Sequence, residues 1–418
     1  MDPEPALLST ATDRPTRWPT GLRSLRHRDF RWFWVGLLIS VVGTWMQNAA
    51  QGWLVYELTG SPLYLGIVGA CGTVPILLLS LPAGVLADRW SKRRIVLVTQ
   101  SAATFQAAAL AVLVYTGRVR VWHVMLLAGL LGVVNAFDMP TRQSMVLELV
   151  GRKEDILNAV SLNSSAFNAG RVIGPSVAGV LLAGAGMAGC FALNAVSFLP
   201  LIVAMAFIRT HPGRVLPKGS LFQQIGGGLA WVRGHKVALS LLVLTAISGI
   251  FAMPYATLMP LFARKVFSVG PQGYGLLMSA PAVGSLLAAG SIAALGHRFH
   301  IGRITLAGAL LFPCSLLLLA LAPSYPVALA VLVLIGFGMM SFNTTSNSML
   351  QREPPDELRG RVMGVRAFLF GGMGPVGNMQ IGALAQWLGP RLAIATGSVV
   401  CLLAALATWW RVPGLRQD

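Results

Sequence analysis

The chain has 418 residues, of which 55% are hydrophobic and only 11% charged, and its mean hydropathy is +0.69. That is too little charge to cover a water-soluble domain of this length, so much of the surface must face something apolar. Lys and Arg number 32 against 14 Asp and Glu, a net charge of +18. In a soluble protein this would suggest nucleic acid; in a membrane protein it reads as topology, because cytoplasmic loops collect cations, and no nucleic-acid partner is expected.

Residues 1–30 are polar and arginine-rich and lack the apolar core of a secretory signal, so they read as an uncleaved cytoplasmic tail. About 20 apolar residues span a bilayer as a helix. Twelve stretches meet that length: Arg31 to Tyr56, Pro62 to Ala87, Ile95 to Thr116, Val121 to Val146, Ala159 to Ala185, Ala188 to Ile208, Val237 to Phe262, Gly273 to Leu295, Ile304 to Leu321, Val327 to Leu350, Val362 to Leu388 and Leu392 to Trp410. With the N-terminus inside, 25 of the basic residues fall in cytoplasmic segments and 5 in external loops, while Arg171 and Arg366 lie within spans. Such an unbroken alternation fixes the helix count, places both termini in the cytoplasm, and suits a multi-pass protein of a cell inner membrane.

The longest internal connection, 209–236, divides the chain into a six-helix half at 31–208 and another at 237–411, with a short tail at 412–418. Leu221, Phe222, Ile225, Leu229, Trp231 and Val232 suggest an amphipathic helix on the membrane surface within that linker. Gly174-Pro175 recurs as Gly374-Pro375, a faint echo of internal repetition. The four cysteines, Cys71, Cys190, Cys314 and Cys401, sit in apolar stretches without ligand spacing and read as free thiols. No metal site, cofactor or nucleotide-binding loop is expected.

Charged groups inside spans are costly and therefore functional candidates. Asp138 can pair with Arg142 one turn on, meet Arg89 or Arg93, or carry a proton. Arg171 is deeper and suits an anionic substrate group or a carboxylate partner, and Arg366 resembles it. Glu57, at the outer end of the first span, is either a solvated helix end or a proton-coupling group. Thr44, Gln47 and Gln51 form one polar face of that span, and Asn135, Asn343, Thr344 and Asn347 add polar groups elsewhere.

Between the second and third spans, Gly84, Asp88, Arg89, Lys92, Arg93 and Arg94 resemble the signature loop of the major facilitator superfamily, with Ser91 where that family usually has glycine. Such a loop is a conformational latch, which Asp138 and Arg142 would join. Gly170, Gly174, Pro175 and Gly179 resemble the superfamily's antiporter motif, with glycines clearing one helix face and the proline weakening a pivot. Further matches run from Leu54 to Pro62, from Asn135 to Gln143, from Phe167 to Pro175 and from Asp356 to Val362. Together they are similar to the branch holding the enterobactin exporter and macrolide efflux proteins. The resemblance implies an all-α integral membrane protein with twelve transmembrane helices in two six-helix halves, whose first, fourth, seventh and tenth helices line a central cavity. It further implies a monomeric secondary transporter, not an enzyme, that exports amphiphilic drugs, siderophores or other metabolites in exchange for protons. Import of a nutrient by the same fold and a non-transporting membrane receptor are the alternatives.

Overall fold

The computed structural model describes residues 19–150, 153–208 and 229–417, without the side chains of residues 20, 80, 81, 84–89, 153, 297, 416 and 417. The described chain is almost wholly helical. In chain order the first half contains α1 (Arg28–Thr59), α2 (Pro62–Arg89), α3 (Lys92–Tyr115), α4 (Val121–Val150), α5 (Lys153–Gly184) and α6 (Gly186–Phe207). The second half contains α7 (Lys236–Val266), α8 (Pro271–Leu295), α9 (Ile301–Leu321), α10 (Tyr325–Arg352), α11 (two pieces, Asp356–Gly372 and Gly374–Leu388) and α12 (Pro390–Arg411). Eleven of these elements are each long and apolar enough to cross a bilayer. The exception is α11, whose two pieces each fall short; α6 also has a one-residue break, at Phe198 between Gly186–Ser197 and Leu199–Phe207.

The break in α11 has a local cause. Gly371 and Gly372 precede it and Gly374-Pro375 follows, so backbone freedom meets a residue that cannot donate to the preceding turn. In α5 the same Gly-Pro pair follows Val172 and Ile173 rather than a pair of glycines, and the helix runs on through Pro175. The expected pivot thus stays inside a continuous helix in the first half and opens a break in the second. Helix α7 also departs from a simple span: π-helical turns at Ser248–Ala252 and Phe262–Val266 flank a 3-10 stretch at Met253–Leu258. Pro254 and Pro260 remove two intrahelical donors. The carbonyls of Gly249 and Ile250 then lie 2.8 Å from where a side chain on Gly377 would begin, so glycine lets α11 close over them.

Both ends of the described chain lie at one face of the bundle. A short turn of helix at Thr20–Arg26 packs against the start of α5, and another at Gly414–Gln417 against the start of α9. Asp155, wholly buried, binds Arg23 (3.1 Å), Arg26 (2.6 Å) and His27 (2.8 Å) there. This face also carries the basic connections between even- and odd-numbered helices, and is called the basic end below. Of the expected linker helix, residues 209–228 lie outside the described residues; 229–234 are helical, with Val232 buried and Trp231 stacked on His235.

The halves meet along α5 against α8 and α2 against α11, almost entirely toward the end opposite the basic one. Gly179 abuts Pro271 and Gly275, and Gly382 abuts Pro62 and Gly66, so small residues let these backbones touch. Tyr274 donates to the Ala49 carbonyl at 3.0 Å, and Ser61 to Gln386 at 2.8 Å. Toward the basic end this crowding stops. Side chains at Gly290, Gly360, Gly364 and Gly371 would meet nothing within 4 Å. The bundle is therefore sealed at one end and splayed at the other.

Candidate functional site

The splay leaves a stripe of α5 uncovered. Leu157, Ser161 and Ser164 are exposed, and Asn168 and Arg171 continue the same face at helical spacing. Around α5, Gly170 and Gly174 abut α1, while the Val172 carbonyl and Ser176 bond Ser279 of α8 at 2.8 Å. Ile173 and Val180, exposed by 45% and 64%, form the outer, lipid-facing side. Because a helix turns about 100° per residue, Arg171 points away from that side, toward the axis between the halves. Its guanidinium lies 5.5 Å above the Trp45 ring of α1 and makes no ion pair among the described residues. Of the antiporter-type residues, Gly170, Gly174 and Gly179 give α5 its close approach to α1 and α8, and the Pro175 carbonyl faces Gly275.

Across the cleft, Arg366 of α11 donates to Asn347 Oδ1 (2.8 Å) and the Asn343 carbonyl (3.0 Å) of α10 and stands 5.9 Å from the Phe370 ring. The structure thus joins Arg366 to two asparagines that the sequence placed in a different span. Arg366 Nε is buried without a partner among the described residues.

Beneath the seal lies a cavity of about 450 Å³ bordered by Trp45, Gln51, Asn135, Thr257, Tyr274 and Asn378. It draws on α1, α2, α4, α7, α8 and α11: of the four expected lining helices α1, α4 and α7 border it, α10 does not, and α2, α8 and α11 take part instead. Gln51 and Asn135 face it. Gln47 does not: it is fully buried inside the first half, donating to Gln106 at 2.9 Å and accepting from Asn194 at 2.8 Å. The polar face from Thr44 to Gln51 is wide enough to serve two environments, and Gln47 takes the inner one. Asn378, which accepts from Thr257 at 2.8 Å, went unnoticed in sequence because one amide in a glycine-rich span carries no spacing signal.

Asp138 sits in a second, smaller space of about 170 Å³ within the first half. Its carboxylate accepts from Arg142 at 2.6 Å, Thr99 at 2.9 Å and Gln100 at 3.0 Å. Arg142, one turn along α4, is the nearer cation, and Arg93 is engaged elsewhere, donating to the Met205 and Ala206 carbonyls at 2.6 and 2.7 Å. Lys92 pairs with Glu148, a tie between α3 and α4 that no sequence spacing announced. Arg94 is exposed beside a groove on the flank of α3 and α4. The side chains of Gly84, Asp88 and Arg89 lie outside the described residues.

At the sealed end Glu57 is no isolated helix terminus. It pairs with Arg264 of α7, whose guanidinium lies 4.6 Å from the Trp53 ring, and so clasps the two halves across their boundary.

Comparison with known proteins agrees with this architecture. Residues 19–417 match the family described as "Transmembrane secretion effector". The multidrug efflux pump Tap of Mycolicibacterium fortuitum is 27% identical over 91% of this chain and 94% of its own length. The staphyloferrin A transporter of Staphylococcus aureus is 26% identical over 86% and 90%, and macrolide efflux protein A of Streptococcus pyogenes 21% identical over 86% and 90%. Among solved structures, a bacterial homologue of the human lysosomal transporter Spinster superposes with a TM-score of 0.75 at 13% identity, covering 92% of this chain and 96% of the other.

Proposed function

Because the chain belongs to the transmembrane secretion effector family, a branch of the major facilitator superfamily of transporters, we propose that it exports amphiphilic small molecules from the cytoplasm by alternating access in exchange for protons. The observation that carries this reading is the opposed pair of ends, one closed by contacts between the halves and the other parted down to Arg171. By the bias of cations toward cytoplasmic loops the parted end faces the cytoplasm, where an exporter must load. The clasp of Glu57 and Arg264, the Tyr274 bond to α1 and the apposed glycines then form the external gate. The relatives named for multidrug and macrolide efflux favour export of organic cargo, and the one named a staphyloferrin A transporter favours a small-molecule cargo. Asp138 is the one described carboxylate placed away from a helix end, so a proton exchanged for cargo has its natural carrier there. Loss of that proton would restore the bond to Arg142.

Proteoliposomes holding the protein in an imposed proton gradient should move a fluorescent amphiphile against its concentration gradient. A protonophore should abolish that movement. Uptake that ignores the gradient removes the coupling, and cargo moved only toward the cytoplasmic face reverses the direction.

A further inference from the structure

The unpaired charge in the cleft is of one sign only. Arg171 and Arg366 reach it from the two halves, held by an indole and by neutral oxygens, and neither meets a carboxylate among the described residues. The described acids are accounted for elsewhere. Asp138 is bound to Arg142, Glu57 to Arg264, Glu148 to Lys92, Asp155 to its three cations and Asp356 to Arg359, while Asp29, Glu154, Glu353 and Glu357 stand at helix ends. A cation kept in a low-dielectric cleft without a counter-ion is costly, and a bound anion removes that cost. The guanidinium fork also matches a carboxylate better than an ammonium does. Beside Arg171, Trp45 supplies the flat apolar surface that the rest of an amphiphile needs.

We infer that the cargo carries a negative group, a carboxylate or comparable acid on an apolar body, and that Arg171 is its counter-ion, with Arg366 as a second cation along the same path. This rests on reading the cleft as the substrate path and adds the sign of the cargo to it. Permanently cationic dyes, by the same account, are poor ligands.

The test is binding to the purified full-length protein in detergent, with no membrane or gradient. The probes are dansyl-phenylalanine, its methyl ester and ethidium, followed by energy transfer from tryptophan or by competition. The acid should bind saturably and at least ten-fold more tightly than the neutral ester, with ethidium weakest. Arg171→Gln should erase the preference of acid over ester and Arg171→Lys should keep most of it, each at an unchanged melting temperature. Equal affinity for acid and ester, tighter binding of ethidium, a preference that survives Arg171→Gln, or no saturable binding of the acid overturns the assignment. If the ester is nevertheless exported from cells, only the sign of the cargo fails; if no probe is moved by cells or vesicles, the export reading fails first.

Discussion

Among single residues, the ones that matter most here are those whose partners sequence could name only in part. Asp138 and Arg142 are an ordinary pair one turn apart, yet burial makes each the other's necessity. Removing one partner of a buried pair typically costs about 3–5 kcal/mol, because the survivor stays buried and charged. Asp138→Ala should therefore lower the melting temperature sharply, and the double variant Asp138→Ala/Arg142→Met should recover most of the loss. If the double variant is as unstable as the single one, the damage lies in Thr99 and Gln100 rather than in the stranded guanidinium. Glu57 and Arg264 are the opposite case, each more than two-fifths exposed, and such pairs contribute only about 0–1 kcal/mol. Glu57→Gln should leave stability nearly unchanged while favouring opening of the sealed end, seen as faster labelling of a cysteine placed at Ser61 from the outside. The embedded charges were visible in the sequence because lipid makes every one of them conspicuous. The buried amide chain from Gln106 through Gln47 to Asn194 was not, since three helices must first assemble before those groups can meet.

At the scale of the helices, hydropathy fixed where spans lie but not how they bend. All twelve expected stretches correspond to helical elements, though α6 is divided at Phe198, α11 at Met373, and α7 changes helix type along its length. The π turns of α7 escaped notice because a bulge changes backbone pairing without changing composition; its two prolines were the available hint. Glycines, by contrast, were legible as a class and illegible singly: the sequence could not say which of the 46 touch a neighbour. The structure separates them. A methyl group on Gly336 would run into the Pro281 backbone where α10 crosses α8, whereas at Gly290 it would meet open space. Gly336→Ala should cost about 1–3 kcal/mol or abolish folded expression. Gly290→Ala should be neutral or stabilise by about 0.5–1 kcal/mol through helix propensity. Size-exclusion profiles and thermal melts of the two variants check this, and similar behaviour of both would contradict the packing described.

The molecule as a whole is two bundles touching along one end, and the proposed alternating access requires that contact to move. In a variant lacking native cysteines, Ser176→Cys with Ser279→Cys places two thiols where hydroxyls now stand 2.8 Å apart across α5 and α8. Oxidation should join them quickly and stop transport, and reduction should restore it; full activity in the joined state would mean that this seam never parts. The run of membrane-crossing stretches could be read from the chain because lipid acts on composition directly. The state of the gate could not, because apolar helices of the same sequence serve both arrangements, and only pairs such as Tyr274 with Ala49 distinguish them.

The tether formed by Asp155 has a practical corollary. Ser24 bonds the Asp155 carbonyl and the Asn158 side chain, so the leader before α1 is fastened by backbone as well as by charge. A chain begun at Arg28 would strand the buried Asp155 without its three cations and release the first turn of α5. Such a shortened protein should purify poorly even though every span is intact.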